Sequence, residues 1–289
     1  MENLTTAQQK FLARIQKDDV FVPNSIIDFP KSIKFPTRKG YEQAIISNGT
    51  LVNVVSKSYG HLPNQNFFGE VERQLRQANI KFEVKSINRD DRSFSCDYIL
   101  NDDSFLIKIK GQNDKILPML RFVNSYDGSN KTSGHFGFYR EVCSNGLHVA
   151  DMKVGFSVKH RGNIASIVLP KIDELCKLFV ENEYYELSRK FEVLAEKSIS
   201  DVTEFVKMVS TDLGLFTFEA SKTNPEPCLN ARLVIDTITK EQRILGLEKP
   251  SLWLGYNAFN ELIHDKLKKT FDQQANLDNK VFQHIVEMA

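Results

Sequence analysis

The stretch NSYDGSNKTSGHFGFYREVCSNGLHV, residues 124–149, concentrates side chains that could do chemistry between two short apolar runs. It supplies two histidines, one cysteine, one lysine, one arginine and two acidic residues, beside the turn-forming pair Asp127-Gly128. Three chemistries use such a set: nucleophilic catalysis, metal binding and the binding of a polyanion.

Catalysis and metal binding both depend on Cys143. With His135, His148 or His160 it could form a thiolate–imidazole pair, but no local sequence resembles a nucleophile motif. A cysteine between apolar residues is more often a packed core residue. Zinc sites use tightly spaced ligand pairs, and none occurs here. We expect no catalytic residue, metal or cofactor, with a cysteine- or metal-dependent enzyme as the third alternative.

Nucleotide binding is also disfavoured by the sequence. The chain contains neither the GxxxxGK[ST] pattern of a P-loop nor the GxGxxG pattern of a dinucleotide-binding fold. A reaction driven by ATP is therefore not expected.

The segment HFGFYREV alternates as a β-strand does, which places Phe136, Phe138 and Arg140 on one face. Rings beside a cation are what proteins use for sequence-tolerant binding of single-stranded nucleic acid. The alternative is a sheet whose aromatic face is buried, with Arg140 paired to a carboxylate. Both interpretations remain open at the level of the sequence.

A second cationic segment, Lys159-His160-Arg161, closes the last predicted strand, where it could hold phosphates or form a solvated turn. Asn124 and Asn145 are expected to fix turns. The candidate residues for binding nucleic acid are Arg121, Tyr126, Lys131, Phe138, Tyr139, Arg140, Lys159, His160 and Arg161.

Charge and composition fit a nucleic-acid-binding protein. Residues 1–162 hold 23 basic and 17 acidic residues, whereas residues 163–289 hold 15 and 20. A basic first half indicates polyanion binding, and an acidic second half indicates packing or self-association. No apolar segment approaches the roughly 20 residues of a membrane span, and the first residues lack the apolar core of a signal peptide. We therefore expect a cytoplasmic protein without a membrane partner, its four widely spaced cysteines reduced.

The elements that position these residues follow from periodicity. Asn48-Gly49 predicts a hairpin, residues 64–80 an amphipathic helix that Asn64 caps, and residues 81–100 a second hairpin. Further strands are expected up to residue 160, and four helices and a short fifth after Pro170. The fold class is α+β: a mostly antiparallel, twisted sheet with one early helix, followed by a helical C-terminal half. Three regions are predicted: a helix and extended arm (1–40), a basic β-rich core (41–165) and a helical region (166–289).

Several short motifs occur in an order that resembles an uncharacterised domain family of phage and plasmid-like proteins. They are VVSKSYGHLPNQNFF, SYDGS, REVCSNGL, VKHRG and LWLGYNAFNELI, and the likeness covers most of residues 40–265. The chain departs from the family pattern at Lys159-His160, where Arg-His is usual, and at Gly146, where threonine is common. The resemblance implies a protein of a mobile element and does not by itself assign an activity.

The order of elements is also similar to that of the single-strand annealing proteins of recombination. Those proteins bind DNA in a basic groove and assemble as rings or filaments without ATP. The first hypothesis is therefore a non-enzymatic homo-oligomer, a ring or filament, that binds single-stranded DNA and promotes annealing. The second is a phage or plasmid interaction protein that binds or inhibits a host protein through its acidic helical half, without binding nucleic acid.

Overall fold

The structure is a computed structural model. The structure describes residues 24–30, 40–47, 49–89, 92–101, 105–109, 115–140, 146–147, 155–178, 184–221, 223–267, 269 and 271–289. Within these ranges, only the backbone is described for residues 85–89, 146–147, 177–178, 184–185, 224 and 271–272.

The chain forms two compact units, and each is built from three separate segments of the sequence. Unit 1 comprises residues 1–99, 120–135 and 155–177. Unit 2 comprises residues 100–119, 136–154 and 178–289. The three contiguous regions expected from the sequence remain a prediction.

A three-stranded antiparallel sheet is formed by β1 (Asn24–Asp28), β2 (Tyr41–Ser47) and β3 (Thr50–Ser56). The hairpin predicted between β2 and β3 is confirmed, with Ser47 opposite Thr50. Gly49 takes a φ of 74°, a left-handed conformation that glycine adopts without a steric penalty.

A larger sheet has seven strands in the order β10-β8-β7-β5-β4, with β6 paired to β7 and β9 paired to β8. The pairs whose register is described are antiparallel, which confirms the expected sheet type. The strands are β4 (Glu83–Arg89), β5 (Ser93–Ile99), β6 (Ile107–Lys108), β7 (Lys115–Ser125), β8 (Thr132–Arg140), β9 (Gly146–Leu147) and β10 (Gly155–Val158). A small hairpin of β11 (Glu219–Ser221) and β12 (Asn224–Pro227) follows later in the chain.

The early helix, α1 (Asn64–Gln77), buries Phe67, Phe68, Val71 and Leu75 at helical spacing, as predicted. The ring of Phe67 meets that of Phe122 on β7 edge-on, at 5.9 Å between centroids. The prediction that Asn64 caps this helix was wrong. Pro63 holds the cap position, and the side chain of Asn64 bonds to another part of unit 1 instead.

The C-terminal half is mostly helical, as expected. Its helices are α2 (Ile164–Leu178), α3 (Tyr184–Glu196), α4 (Val202–Asp212), α5 (Leu229–Ile244), α6 (Leu252–Glu261) and α7 (Phe271–Glu287), and a π-helical turn (Leu262–Lys266) follows α6.

Two boundaries in this half differ from expectation. Helix α2 begins at Ile164, before Pro170, because the Asn163 side chain accepts the backbone N–H of Ser166 at 3.4 Å and so caps its first turn. The last helix has 17 residues and is not short. Within the described residues, none of the helices combines the length and the apolar character that crossing a bilayer requires.

Candidate nucleic-acid interface

Three motif segments that are distant in sequence meet in unit 1: SYGHLPN (residues 58–64), NSYDGSNKT (124–132) and KHRG (159–162). Tyr59 forms an antiparallel β-bridge with Arg161. The backbone N–H of Gly162 donates to the carbonyl oxygen of Ser58 at 3.0 Å. We call the polar residues where these segments meet the motif cluster. They are the half-buried His61 and the buried Asn64, Asn124, Tyr126, Thr132 and His160.

The side chain of Asn124 forms three hydrogen bonds within the motif segments. Its Nδ2 donates to the carbonyl oxygen of Leu62 at 2.9 Å and to Oδ1 of Asn64 at 2.8 Å. Its Oδ1 accepts the hydroxyl of Thr132 at 3.0 Å. Asn124, Asn64 and Thr132 are all fully buried, so these bonds replace the hydrogen bonds that water would form with the same groups. The expectation that Asn124 fixes a turn therefore understates its contribution, because its side chain also joins the segment 124–132 to the segment 58–64.

Tyr126 joins a further set of elements. Its hydroxyl accepts Nδ2 of Asn24 on β1 at 2.6 Å and the first backbone N–H of α1, that of Asn64, at 3.0 Å. Its carbonyl accepts Nδ2 of Asn53 on β3 at 3.1 Å. Only 1% of the residue is exposed, and its ring packs on those of Phe94 and His61. As folded, Tyr126 is a structural residue whose ring does not reach a base.

His160 anchors the third segment. Its Nδ1 donates to the carbonyl oxygen of Gly60 at 3.1 Å, and its Nε2 lies 3.3 Å from the Thr132 hydroxyl. Its ring stacks on that of Tyr59, with 5.2 Å between centroids and 1° between planes. His160 is therefore directed inward, although Lys159 and Arg161 on either side of it are exposed.

A tight turn brings the backbones of those two residues together. The backbone N–H of Arg161 donates to the carbonyl oxygen of Lys159 at 2.8 Å, which closes a γ-turn with His160 at its centre. The turn lies close against Gly60, where a Cβ atom would come within 2.8 Å of the backbone nitrogen of Arg161. The close approach requires glycine at this position.

Lys131 lies beside the same turn. The ladder between β8 and β10 ends at the pair Thr132 and Val158, so the next residues, Lys131 and Lys159, are neighbours across the two strands. We call the exposed residues Lys131, Lys159 and Arg161 the basic edge. Asp127, which is half-buried, is the acidic residue of the adjoining β7–β8 turn.

Burial shapes the titration of the motif cluster. It lowers the pKa of His61 to about 4, and the nearby His160 lowers it further in the same direction. Burial also lowers the pKa of His160, although its bonds to the carbonyls of Gly60 and Asn130 oppose the change. Burial raises the pKa of Tyr59 above its ordinary value, which keeps its hydroxyl protonated and donating to the carbonyl of Ser125 at 3.2 Å. His61 is therefore neutral at pH 7.

We predict that unit 1 loses stability as the pH falls from about 6.5 to 4. In that range His61 takes up a proton in the unfolded chain but resists it in the folded one, where its pKa is about 4, so acid favours unfolding. The contribution of His61 amounts to about 3.5 kcal/mol at most, at about 1.4 kcal/mol for each pKa unit. Urea unfolding at a series of pH values measures how steeply the free energy of unfolding changes with pH. A His61→Gln variant should show a shallower dependence. An unchanged slope in that variant would contradict the assignment.

Two of the remaining candidates, Phe138 and Arg140, belong to unit 2. Phe138 is fully buried, with its ring edge-on to Phe191 of α3 at 4.8 Å. Arg140 is 1% exposed, donates from Nη1 to Oε2 of Glu241 at 2.9 Å, and lies 5.4 Å from the ring centre of Trp253. This is the alternative interpretation of HFGFYREV: a buried aromatic face with Arg140 paired to a carboxylate. As folded, neither side chain reaches a ligand in solvent.

Two further candidates occupy intermediate positions. The guanidinium of Arg121 donates through Nε and Nη2 to both carboxylate oxygens of Asp97. Such a bidentate pair makes the guanidinium less available to phosphate. Tyr139 is half-buried on β8 and belongs to unit 2. Of the nine candidate residues, the structure therefore brings Lys131, Lys159 and Arg161 together at the surface, around the buried His160.

Cys143 and His148, on which the enzyme alternative depended, lie outside the described residues. Among the cysteines that the structure does describe, burial raises the pKa of Cys176 to about 12 and also raises that of Cys96. Thiols in such surroundings are not nucleophilic at neutral pH. No group of three or more potential metal ligands occurs within the described part of the chain.

Sequence reasoning missed Tyr59, His61 and Asn64. Their segment, SYGHLPN, was assigned to the end of a strand and the start of a helix, although it is one of the motifs on which the family resemblance rests. The unusual density of polar and aromatic residues in that segment was the available signal.

A family model described as "Domain of unknown function (DUF932)" matches residues 52–281. The match contains all three segments of the motif cluster and extends through α6. Searches of curated proteins and of solved structures give no significant match.

Proposed function

The chain belongs to the DUF932 family, and on this premise we propose that it binds single-stranded DNA along the basic edge. The bound strands would be annealed without ATP, in the cytoplasm, as part of the recombination of a phage or plasmid. The protein would act as a homo-oligomer, since annealing requires two strands to be held side by side.

The observation that carries this proposal is the γ-turn at His160. It holds Lys159 and Arg161 next to each other, and no ion pair to either is present within the described residues. Holding like charges together has an electrostatic cost, which a bound polyanion would offset. Successive phosphates of a nucleic-acid strand provide such a partner, because each basic contact releases condensed counterions.

The surroundings of the turn also support a nucleic-acid strand as the partner. Lys131 adds a third cation across the strand pair. The buried network of the motif cluster holds the turn in one conformation, so little entropy is lost when a strand binds. A single strand is favoured over a duplex because its flexible backbone can follow a short cationic edge.

The test is binding of a labelled single-stranded oligonucleotide, followed by fluorescence anisotropy at two salt concentrations beside the matching duplex. Salt-sensitive binding that prefers the single strand supports the proposal, and strand annealing is then measured directly. Absence of binding at low salt would overturn it. A host protein that copurifies in equal amount, without nucleic acid, would then favour the interaction-protein hypothesis.

We predict that the double variant Lys159→Gln, Arg161→Gln binds the single strand at least tenfold more weakly at low salt. Its salt dependence should also be shallower. The plot of log affinity against log salt loses about 0.7 of slope for each phosphate contact removed, hence roughly 1.4 for two.

The matched control is Lys207→Gln, Lys240→Gln, which removes the same charge from two exposed lysines of α4 and α5. This control should keep both the affinity and the slope. Equal losses in the two double variants would show that net charge, and not the basic edge, governs binding.

A further inference from the structure

Tyr59 places an aromatic ring at the basic edge. The three motif segments contain two tyrosines, of which Tyr126 is buried and Tyr59 is only partly so. The ring of Tyr59 lies parallel to the imidazole of His160, at 5.2 Å between centroids. The two rings thus already form an offset stack.

The stack is held rigidly from both sides. The backbone of Tyr59 bridges that of Arg161, and its hydroxyl donates to the carbonyl of Ser125 at 3.2 Å. His160 is fixed in turn by the carbonyl of Gly60. A ring that is already immobilised loses little conformational entropy when a ligand stacks on it.

At Gly128, the turn beside the ring places no side chain against Tyr59. Gly128 has a φ of 73°, and a Cβ atom at this position would lie 3.8 Å from Cε2 of Tyr59. Any larger residue there would extend its side chain next to the ring. Glycine therefore meets the backbone requirement of the turn and also keeps this approach to Tyr59 open.

We propose that Tyr59, supported by His160, is the base-stacking residue of the basic edge, so that the site takes unpaired nucleobases together with their phosphates. The inference rests on the proposed function and adds a reason why the site would select single strands over duplex. The faces of bases in a duplex are covered by their neighbours in the stack. A site that requires a free base face therefore selects single strands, whereas cations alone bind both forms.

The test compares a labelled oligo-dT with an abasic phosphodiester of the same length and charge. The wild-type protein is expected to bind oligo-dT roughly fivefold to a hundredfold more tightly, the range that one stacked base contributes. Tyr59→Leu should lose this preference and still bind the abasic strand as the wild type does. Tyr59→Phe keeps the ring and should keep the preference. Tyr41→Leu removes a half-buried tyrosine of β2, outside the three motif segments, and should keep it as well.

The outcomes separate this inference from the proposed function. Equal, salt-sensitive binding of both oligonucleotides by the wild type overturns the stacking residue and leaves polyanion binding standing. A preference for oligo-dT that survives in Tyr59→Leu overturns the assignment to Tyr59. Binding of neither oligonucleotide overturns the proposed function, and this inference with it. Unchanged circular dichroism and abasic binding in Tyr59→Leu establish that the variant is folded.

Discussion

Glu241→Ala is expected to destabilise unit 2 by roughly 3–5 kcal/mol, because it leaves the guanidinium of Arg140 charged and buried without its carboxylate. The two side chains are 1% and 4% exposed, so water cannot replace the lost partner. Urea unfolding followed by the fluorescence of Trp253, which packs beside Arg140, measures the loss.

The control for this prediction is the double variant Arg140→Met, Glu241→Leu. Replacing a buried ion pair by apolar side chains of similar volume is often neutral, so most of the stability should return. A loss below about 1 kcal/mol in Glu241→Ala would contradict the buried pair. The result also bears on function, because an arginine held in this way is not free to neutralise a phosphate. Single substitutions at Arg140 would therefore report on folding, and reduced DNA binding in them would not identify a contact.

Asn124→Ala is the second substitution with a large expected effect, a loss of roughly 3 kcal/mol or more in the stability of unit 1. It removes the partner of a backbone carbonyl at Leu62, of an amide oxygen at Asn64 and of a hydroxyl at Thr132. Each buried polar group left without a partner costs about 1–3 kcal/mol.

Asn66→Ala is the matched control, since Asn66 is exposed in the first turn of α1. It should change the stability by no more than about 0.5 kcal/mol. Urea unfolding of both variants provides the measurement. Similar small effects in the two would mean that the network around Asn124 contributes little.

These expectations also bear on the family resemblance. Two of its motifs are SYDGS and VKHRG, and in this chain both contribute to a buried hydrogen-bonding network. Tyr126 lies in the first motif and His160 in the second, and Asn124 immediately precedes the first. The exposed cations in and beside these motifs, Lys131, Lys159 and Arg161, are the residues on which the proposed function depends.

Local elements were predictable because their signals are local. Asn48-Gly49 specifies a hairpin by its backbone preference, and the spacing of Phe67, Val71 and Leu75 specifies one face of a helix. The stop of α4 near Gly214 was predicted in the same way, and this glycine has a φ of 59°. Such signals depend on a few neighbouring residues, so no tertiary information is needed.

The candidate site was only partly predictable. Alternation correctly placed Phe138 and Arg140 on one strand face, but whether that face meets water depends on Phe191, Glu241 and Trp253, which are distant in sequence. In the same way, 101 positions separate Tyr59 from His160, on which its ring stacks. A single sequence carries no signal for pairings of this range.

The sequence by itself thus determined the α+β class, the helical second half, the early helix and its apolar face, because these follow from periodicity and turn chemistry. The tertiary structure alone decided which polar residues of the motifs are buried and which are exposed. Burial is a property of the folded surface, set by contacts between distant segments. It separates Lys159 and Arg161, which face solvent, from His160 between them, which does not.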